Sequence, residues 1–203
     1  LWGHFHRSQS NTRINAAIER FKPKVVTPKC ELDTDDYLLG VENGVVDLKT
    51  GILREARKED YITKLARVEY EPDAECPKWK KFLLDVMQGD QEMVDYLQEV
   101  LGYMLTGSTR EQCWFFLHGS GANGKSTLVS VIDTLMGDYA DTISSEALML
   151  KKYGGGGGAT PDLAKLDGKR LVVANELEEN ALMSEVLVKK VTGEDKIDTR
   201  FLY

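Results

Sequence analysis

Apolar and polar positions change their period along the chain, and those changes divide it. Between 37 and 70 the apolar residues come in short, β-rich runs. YLLGV and GVVDL are separated by Glu42-Asn43-Gly44, and Asn-Gly is strong hairpin chemistry. Lys49-Thr50-Gly51 makes a second turn before ILREA. YIT at 61–63 and RVEY at 67–70 predict further short strands. Nothing in this meander looks catalytic, so packing or assembly is its expected role. From Pro77, a favoured first-turn residue, the period becomes helical, with Trp79, Phe82, Leu83 and Val86 on one face and Gly89 as the stop. Asp90 is the expected N-cap of a second helix. Its apolar stripe is Met93, Val94, Leu97, Val100, Leu101 and Met104, and Gly107 ends it. These two helices read as a hairpin packed into a core.

Further on, strand-like and helix-like stretches alternate. CWFFLHG at 113–119 predicts a short buried strand. A glycine-rich turn and an amphipathic helix follow, with Leu128, Val131, Ile132 and Leu135 on one face and Gly137 after Met136. The five glycines at 154–158 are costly to order and predict a mobile loop or an engineered scar. Thr160-Pro161 is a cap and first-turn pair for a short helix through Leu166. LVVAN at 171–175 predicts another buried strand, 184–191 a helix, and KIDTRFLY the start of a strand.

Composition narrows the class. A chain of 203 residues makes one domain or two small ones, burying roughly 70% of its surface. With 42% hydrophobic and 29% charged residues, wholesale disorder is excluded. The longest apolar run, Cys113 to Leu117, falls far short of the ~20 residues of a membrane span, and no signal peptide is visible. The chain starts at Leu1 and stops abruptly at Tyr203, which suggests a fragment of a longer polypeptide. Net charge is −7, the wrong sign for a mainly phosphate-binding surface. Residues 1–30 nevertheless hold Arg7, Arg13, Arg20, Lys22, Lys24 and Lys29 against Glu19 alone. Such a leader suits nucleic acid, an acidic neighbour, or simply solvent. Cys30, Cys76 and Cys113 are odd in number and widely spaced, which fits a reducing cytoplasm and no disulfide framework. His4 and His6 flank Phe5 but lack a third metal ligand nearby, which argues against a metal site there.

The residues that carry chemistry are Gly119, Ser120, Gly121, Ala122, Asn123, Gly124, Lys125 and Ser126, the pattern G-x-x-x-x-G-K-[ST] of a P-loop. The glycines let the backbone wrap phosphates closely, and the N–H groups and positive end of the following helix face the anion. Lys125 would reach the β- and γ-phosphates, and the Ser126 hydroxyl would ligate Mg²⁺. Thr127 extends the nucleotide-binding run. Such a site needs an acid at the end of a neighbouring strand, and Glu176 directly after LVVAN supplies it, for metal or water. Glu178 and Glu179 compete for the water role. Asn175 suits a structural role at the strand end. His118 reads mainly as a strand-end histidine. Lys189, Lys190, Lys196 and Arg200 form a local basic cluster, suited to solvent or to a phosphate or partner contact.

GSGANGKST, then TPDLAKLDGKRLVVANELEE, then LVKKVTGEDKIDTRFLY resembles the C-terminal helicase domain of phage and plasmid primases. These are superfamily 3 helicases of the satellite-phage and poxvirus primase-helicase type. YLLGVENGVVDLKTG and the stretch through LGYMLTG resemble the segment preceding that ATPase. The resemblance implies an α/β P-loop NTPase, an AAA+-like superfamily 3 core incomplete at its C-terminus, behind a β-meander and helical module. The division is then 1–107 for the module and 108–203 for the partial core. It also implies ATP and Mg²⁺ as cofactors, and translocation on single-stranded DNA by a homo-hexameric ring in the full-length protein. A primase domain in the same polypeptide, no membrane, and the cytoplasm of a host cell complete the expectation. By position, Glu176 falls in the second motif, and Lys189, Gly193, Asp195 and Arg200 in the third, which leads to a DNA-contacting hairpin. The family's sensor asparagine and trans-acting arginine would lie beyond Tyr203. The rivals are a P-loop nucleotide or small-molecule kinase and an ATP-bound, non-enzymatic replication assembly module.

Overall fold

Two small sheets and the helices around them organise the chain. The computed structural model describes residues 10–22, 32–150, 161–175 and 182–193. A first helix, α1 (Asn11–Phe21), occupies the basic leader and was not expected from the sequence. Ile14, Ile18 and Phe21 share one of its faces and stand exposed.

The meander follows. Strands β1 (Leu38–Val41), β2 (Gly44–Asp47) and β3 (Ile52–Arg54) form an antiparallel sheet in that order. The first expected hairpin forms, but it closes with Val41 opposite Gly44, so its two loop residues are Glu42 and Asn43, and Gly44, at φ 148°, opens β2 instead of sitting in the turn. The Asn43 side chain also pins a distant segment: its Nδ2 donates to Tyr70 O at 3.0 Å and its Oδ1 accepts from Tyr70 N at 2.9 Å. The strands expected at 61–63 and 67–70 do not form. Tyr61 is left-handed, with φ 50°, after a 3-10 turn at Lys58–Asp60. Ala66 makes only an isolated parallel bridge to Val41, and Asn43 takes the backbone bonds of Tyr70 that a strand partner would have used.

The helical hairpin is as expected. Helix α2 (Pro77–Val86) has proline in its first turn, and α3 (Gln91–Leu105) is capped by Asp90, which accepts from Met93 N at 3.0 Å. Gln88 and Gly89 both take positive φ between them.

Beyond lie α4 (Lys125–Met136), β4 (Ala140–Ser144), the short α5 (Pro161–Ala164), β5 (Leu171–Asn175) and α6 (Glu185–Thr192). Strands β4 and β5 pair in parallel, Ala140 opposite Leu171 and Ser144 opposite Asn175. Helix α4 packs against both. Strand β4 carries no strong periodic signal in the sequence.

Two expectations about buried strands fail. Residues 113–119 form no strand, and Trp114, Phe115, Phe116 and Leu117 are exposed, with Trp114 and Phe116 in an edge-to-face contact at 4.9 Å. A strand needs a partner, and among the described residues none lies alongside this run. Strand β5 does form, but Val172, Ala174 and Asn175 are exposed and Leu171 and Val173 half-buried, because among the described residues the parallel sheet has two strands and β5 pairs on one edge.

The main core joins the meander to the parallel pair. Leu39, Val41, Val46 and Ala66 cluster with Met136, Tyr139 and Ala140. A second cluster packs Leu83 of α2, Leu97 of α3 and Leu128 of α4. The five-glycine run and KIDTRFLY lie outside the described residues.

Candidate functional site

The loop 119–124 opens α4 by an unusual backbone path. Gly119, Ala122 and Gly124 all have positive φ, at 154°, 59° and 83°. Gly124 sits left-handed at the N-cap of α4, and a Cβ there would lie 2.6 Å from Val86 Cγ1 of α2. A Cβ on Gly119 would collide with the Asn123 amide. Gly121 borders open space. The loop is therefore a concave turn that glycine alone permits at its two ends, with its outer side free.

Lys125 folds back over this turn. Its Nζ donates to Asn123 Oδ1 at 2.7 Å and to Gly119 O at 3.1 Å. Two neutral oxygens thus hold the ammonium where an anion's oxygens would compete for it. The first N–H groups of α4, from Lys125, Ser126 and Thr127, have no partner inside the helix and carry its positive end. Lys125 is half-buried, while Ser126, Thr127 and His118 are exposed. The donor set and the glycine cradle fit a polyphosphate with Mg²⁺. Lys125 and the α4 amides would hold phosphate oxygens, and the Ser126 hydroxyl a ligand position on the metal.

Glu176, Glu178 and Glu179 lie outside the described residues, as do Asp195, Lys196 and Arg200. The described part of the second motif ends with Asn175 on β5, in a pair against which α4 packs. Of the expected basic cluster, Lys189 and Lys190 sit exposed near the end of α6, and Lys189 pairs loosely with Glu185 at 3.8 Å. Gly193 caps that helix. His4 and His6 lie outside the described residues. Among the described residues no three His, Cys, Asp or Glu side chains gather as a metal site, and no helix is long and apolar enough to cross a membrane. Cys76 and Cys113 are free and exposed.

Sequence reasoning missed the residues on which the parallel pair rests. Arg170, just before β5, donates to Leu105 O at 2.6 Å and Leu38 O at 2.7 Å, and its guanidinium lies 4.6 Å from the Tyr139 ring centroid. Burial lowers the Arg170 pKa and raises that of Tyr139. Their only signal in the sequence was a Lys-Arg pair directly before an apolar strand.

Comparison with known proteins bears out the resemblance read from the motifs. Residues 3–88 match the family described as D5 N terminal like. A protein provisionally named a helicase, from Acanthamoeba polyphaga mimivirus, is 34% identical over 199 residues, covering 96% of this chain and 21% of its own length. One from Invertebrate iridescent virus 3, also provisionally named a helicase, is 24% identical over 178 residues, 85% of this chain and 19% of its own. A protein from African swine fever virus, provisionally named a primase, is 31% identical over 113 residues, 53% of this chain and 12% of its own. The chain thus spans about a fifth or less of the length of these relatives.

Proposed function

Taking this chain as a region of the phage and large-virus primase-helicase type, we propose that it binds ATP with Mg²⁺ at Gly119–Thr127 and belongs to the motor of a DNA helicase in replication. One observation carries the reading: the glycine turn that opens α4 and folds Lys125 Nζ onto Gly119 O and Asn123 Oδ1. An ammonium held by neutral carbonyls is ready to be taken over by phosphate, because charge-assisted bonds are stronger. The finer fold in this reading is an α/β P-loop core of AAA+-like type behind the meander and helices.

The roles follow from the chemistry. Lys125 neutralises charge on the outer phosphates, and Ser126 offers its hydroxyl to the metal. Glu176 shares the metal, and Glu178 or Glu179 orients water. Mg²⁺ held by Ser126 and Glu176 would offset the negative charge of the phosphates. The motor reading adds single-stranded DNA as track, a homo-hexamer in the full-length protein, a primase domain in the same polypeptide, and the host cytoplasm as its location. A net charge of −7 gives this chain no general attraction to DNA. Weak DNA affinity and little unaided turnover are expected of it.

Calorimetry with ATP and Mg²⁺ tests the site. Lys125→Ala removes a charge-assisted contact and is expected to cost ~1.5 to 3 kcal/mol of binding. Unchanged affinity in that variant would refute the assignment. Turnover measured with and without single-stranded DNA separates a motor from its rivals. Transfer of phosphate to a small acceptor would mean a kinase, and tight binding without turnover, with or without DNA, an assembly module.

A further inference from the structure

Strands β4 and β5 are parallel, so both start at the same end of their sheet. That starting end is tied together, and fastened to the meander and α3, by side chains with no place in the nucleotide chemistry. Lys169 Nζ donates to the carbonyls of Asp138 at 2.9 Å and Ala140 at 3.0 Å, with Asp141 Oδ2 at 3.5 Å. Arg170 reaches the other way. Its Nη1 donates to Leu105 O in the last turn of α3, and its Nη2 to Leu38 O in β1 and, at 3.4 Å, to Asp35 O. Tyr139, just before β4, lies under the guanidinium. The Tyr139 hydroxyl donates to Lys64 O at 3.0 Å and accepts from Gly40 N at 3.0 Å. The Arg170 backbone N–H closes the set on Tyr139 O at 2.8 Å.

The partners of the Arg170 side chain are backbone carbonyls on two separate elements of the module. A flat fork of donors fixes direction as well as distance, which a lysine does not. One of those carbonyls ends a helix, where a cation is favoured. Five residues along the strand from Arg170, β5 ends at Asn175, one position before Glu176 in the sequence. Ligands of parallel α/β sheets bind at the carboxyl ends of the strands.

From this arrangement we infer that Arg170 is a positioning residue for the candidate nucleotide site: held by the Leu38 and Leu105 carbonyls, it sets the lie of β5 and so the place of the strand's far end relative to Lys125 and Ser126. Arg170 itself touches no ligand. The inference rests on the P-loop reading above. It separates two parts of nucleotide binding. The loop 119–126 and α4 make the metal-independent part, and α4 is anchored through Leu128 in the second cluster. The Mg²⁺-dependent part needs the strand end in place, and that part depends on Arg170.

Calorimetry of adenylyl-imidodiphosphate on the full 203-residue chain, in excess Mg²⁺ and in EDTA, tests this. The wild type is expected to bind more tightly with Mg²⁺. Arg170→Lys keeps the charge and loses the fork. It should cut the Mg²⁺ enhancement by roughly two- to thirtyfold, the range over which residues without ligand contact modulate a site, and leave the affinity in EDTA unchanged. An enhancement unchanged in Arg170→Lys overturns the inference, and so does an equal loss with and without Mg²⁺, which marks a merely structural residue. A wild type that binds nucleotide without any Mg²⁺ enhancement overturns it as well. A wild type that binds no nucleotide in either buffer sinks the P-loop reading itself, a separate and recognisable failure. If circular dichroism shows that Arg170→Lys is unfolded, Arg170→Gln decides by the same ratio. It keeps one side-chain amide donor and loses the fork that holds the Leu38 and Leu105 carbonyls together. A reduced enhancement supports the inference, and an unchanged one overturns it.

Discussion

Gly40 has room for a hydrogen and nothing larger. A Cβ there would sit 2.6 Å from the Lys64 carbonyl oxygen and 3.3 Å from the Tyr139 hydroxyl. Gly40→Ala therefore pushes β1 off the segment that carries Ala66, the most buried residue of the core. A loss of about 1 to 3 kcal/mol is expected from such overpacking, read as a lower urea midpoint. A second residue-scale effect concerns pH. Arg54 donates both guanidinium nitrogens to Asp60, at 2.7 and 2.8 Å. That fork, with the Arg57 backbone N–H, holds the Asp60 carboxyl at about 2, well below its usual 3.8. A depressed carboxyl contributes stability above its unfolded value and loses it as pH falls through the folded one. The contribution, ~1 to 2 kcal/mol after allowing for solvent at this partly exposed pair, should thus be intact at pH 5 and fade between pH 4 and 2. Asp60→Asn should lower the urea midpoint at pH 6 and bring it level with the wild type near pH 2. Equal midpoints at pH 6 would mean that the pair adds nothing.

Elements were legible where their signals were local. Glu42 to Gly44 marked one hairpin, with the loop one residue earlier than Asn-Gly, Pro77 and Asp90 set two helix starts, and the GSGANGKS turn set the start of α4. Each of these needs only neighbours within a few residues. Asp90→Ala should cost ~1 kcal/mol, because it strips the cap from Met93 N, and thermal melts of the two proteins measure that difference. What failed depended on distant partners. CWFFLHG has the composition of a buried strand, yet Trp114 to Leu117 stand exposed, because pairing is a property of two segments and no neighbour lies beside them among the described residues. RVEY lost its strand to a side chain, Asn43, that pairs with Tyr70 across 27 residues. Strand β4, ADTIS, alternates too weakly to announce itself and is fixed by β5, some 30 residues on. At the candidate site the same division holds. The loop was readable as a motif, whereas Arg170 and Tyr139 reach the meander and α3 through contacts spanning 65 to 135 residues that no local pattern encodes.

At the scale of the whole molecule, the main cluster decides what can be separated from what. Leu39, Val41, Val46 and Ala66 come from the meander, Met136 ends α4, Tyr139 joins α4 to β4, and Ala140 begins β4. Tyr139 and Met136 are each only 1% exposed, and much of what covers them is meander. The fastening by Arg170 and Tyr139 lies in the same contact. A cut at residue 107 would bare those apolar side chains to water and remove the Leu38 and Leu105 carbonyls that fix the Arg170 side chain. Residues 108–203 alone would keep β4, β5 and α4 but lose the surface on which the strand starts rest. Such a piece should melt without a cooperative transition and bind the dye ANS, as loosely packed states do. The 203-residue chain should melt once across the described region. In a variant whose other tryptophans are replaced, Trp79 fluorescence reports the second cluster and far-ultraviolet circular dichroism the helices and sheets together, so the two are independent probes. Coincident midpoints from both are the signature of one cooperative unit. Separate midpoints, or a 108–203 fragment that melts sharply at the temperature of the whole chain, would show that Leu39, Val41, Val46 and Ala66 only touch the parallel pair and do not hold it up.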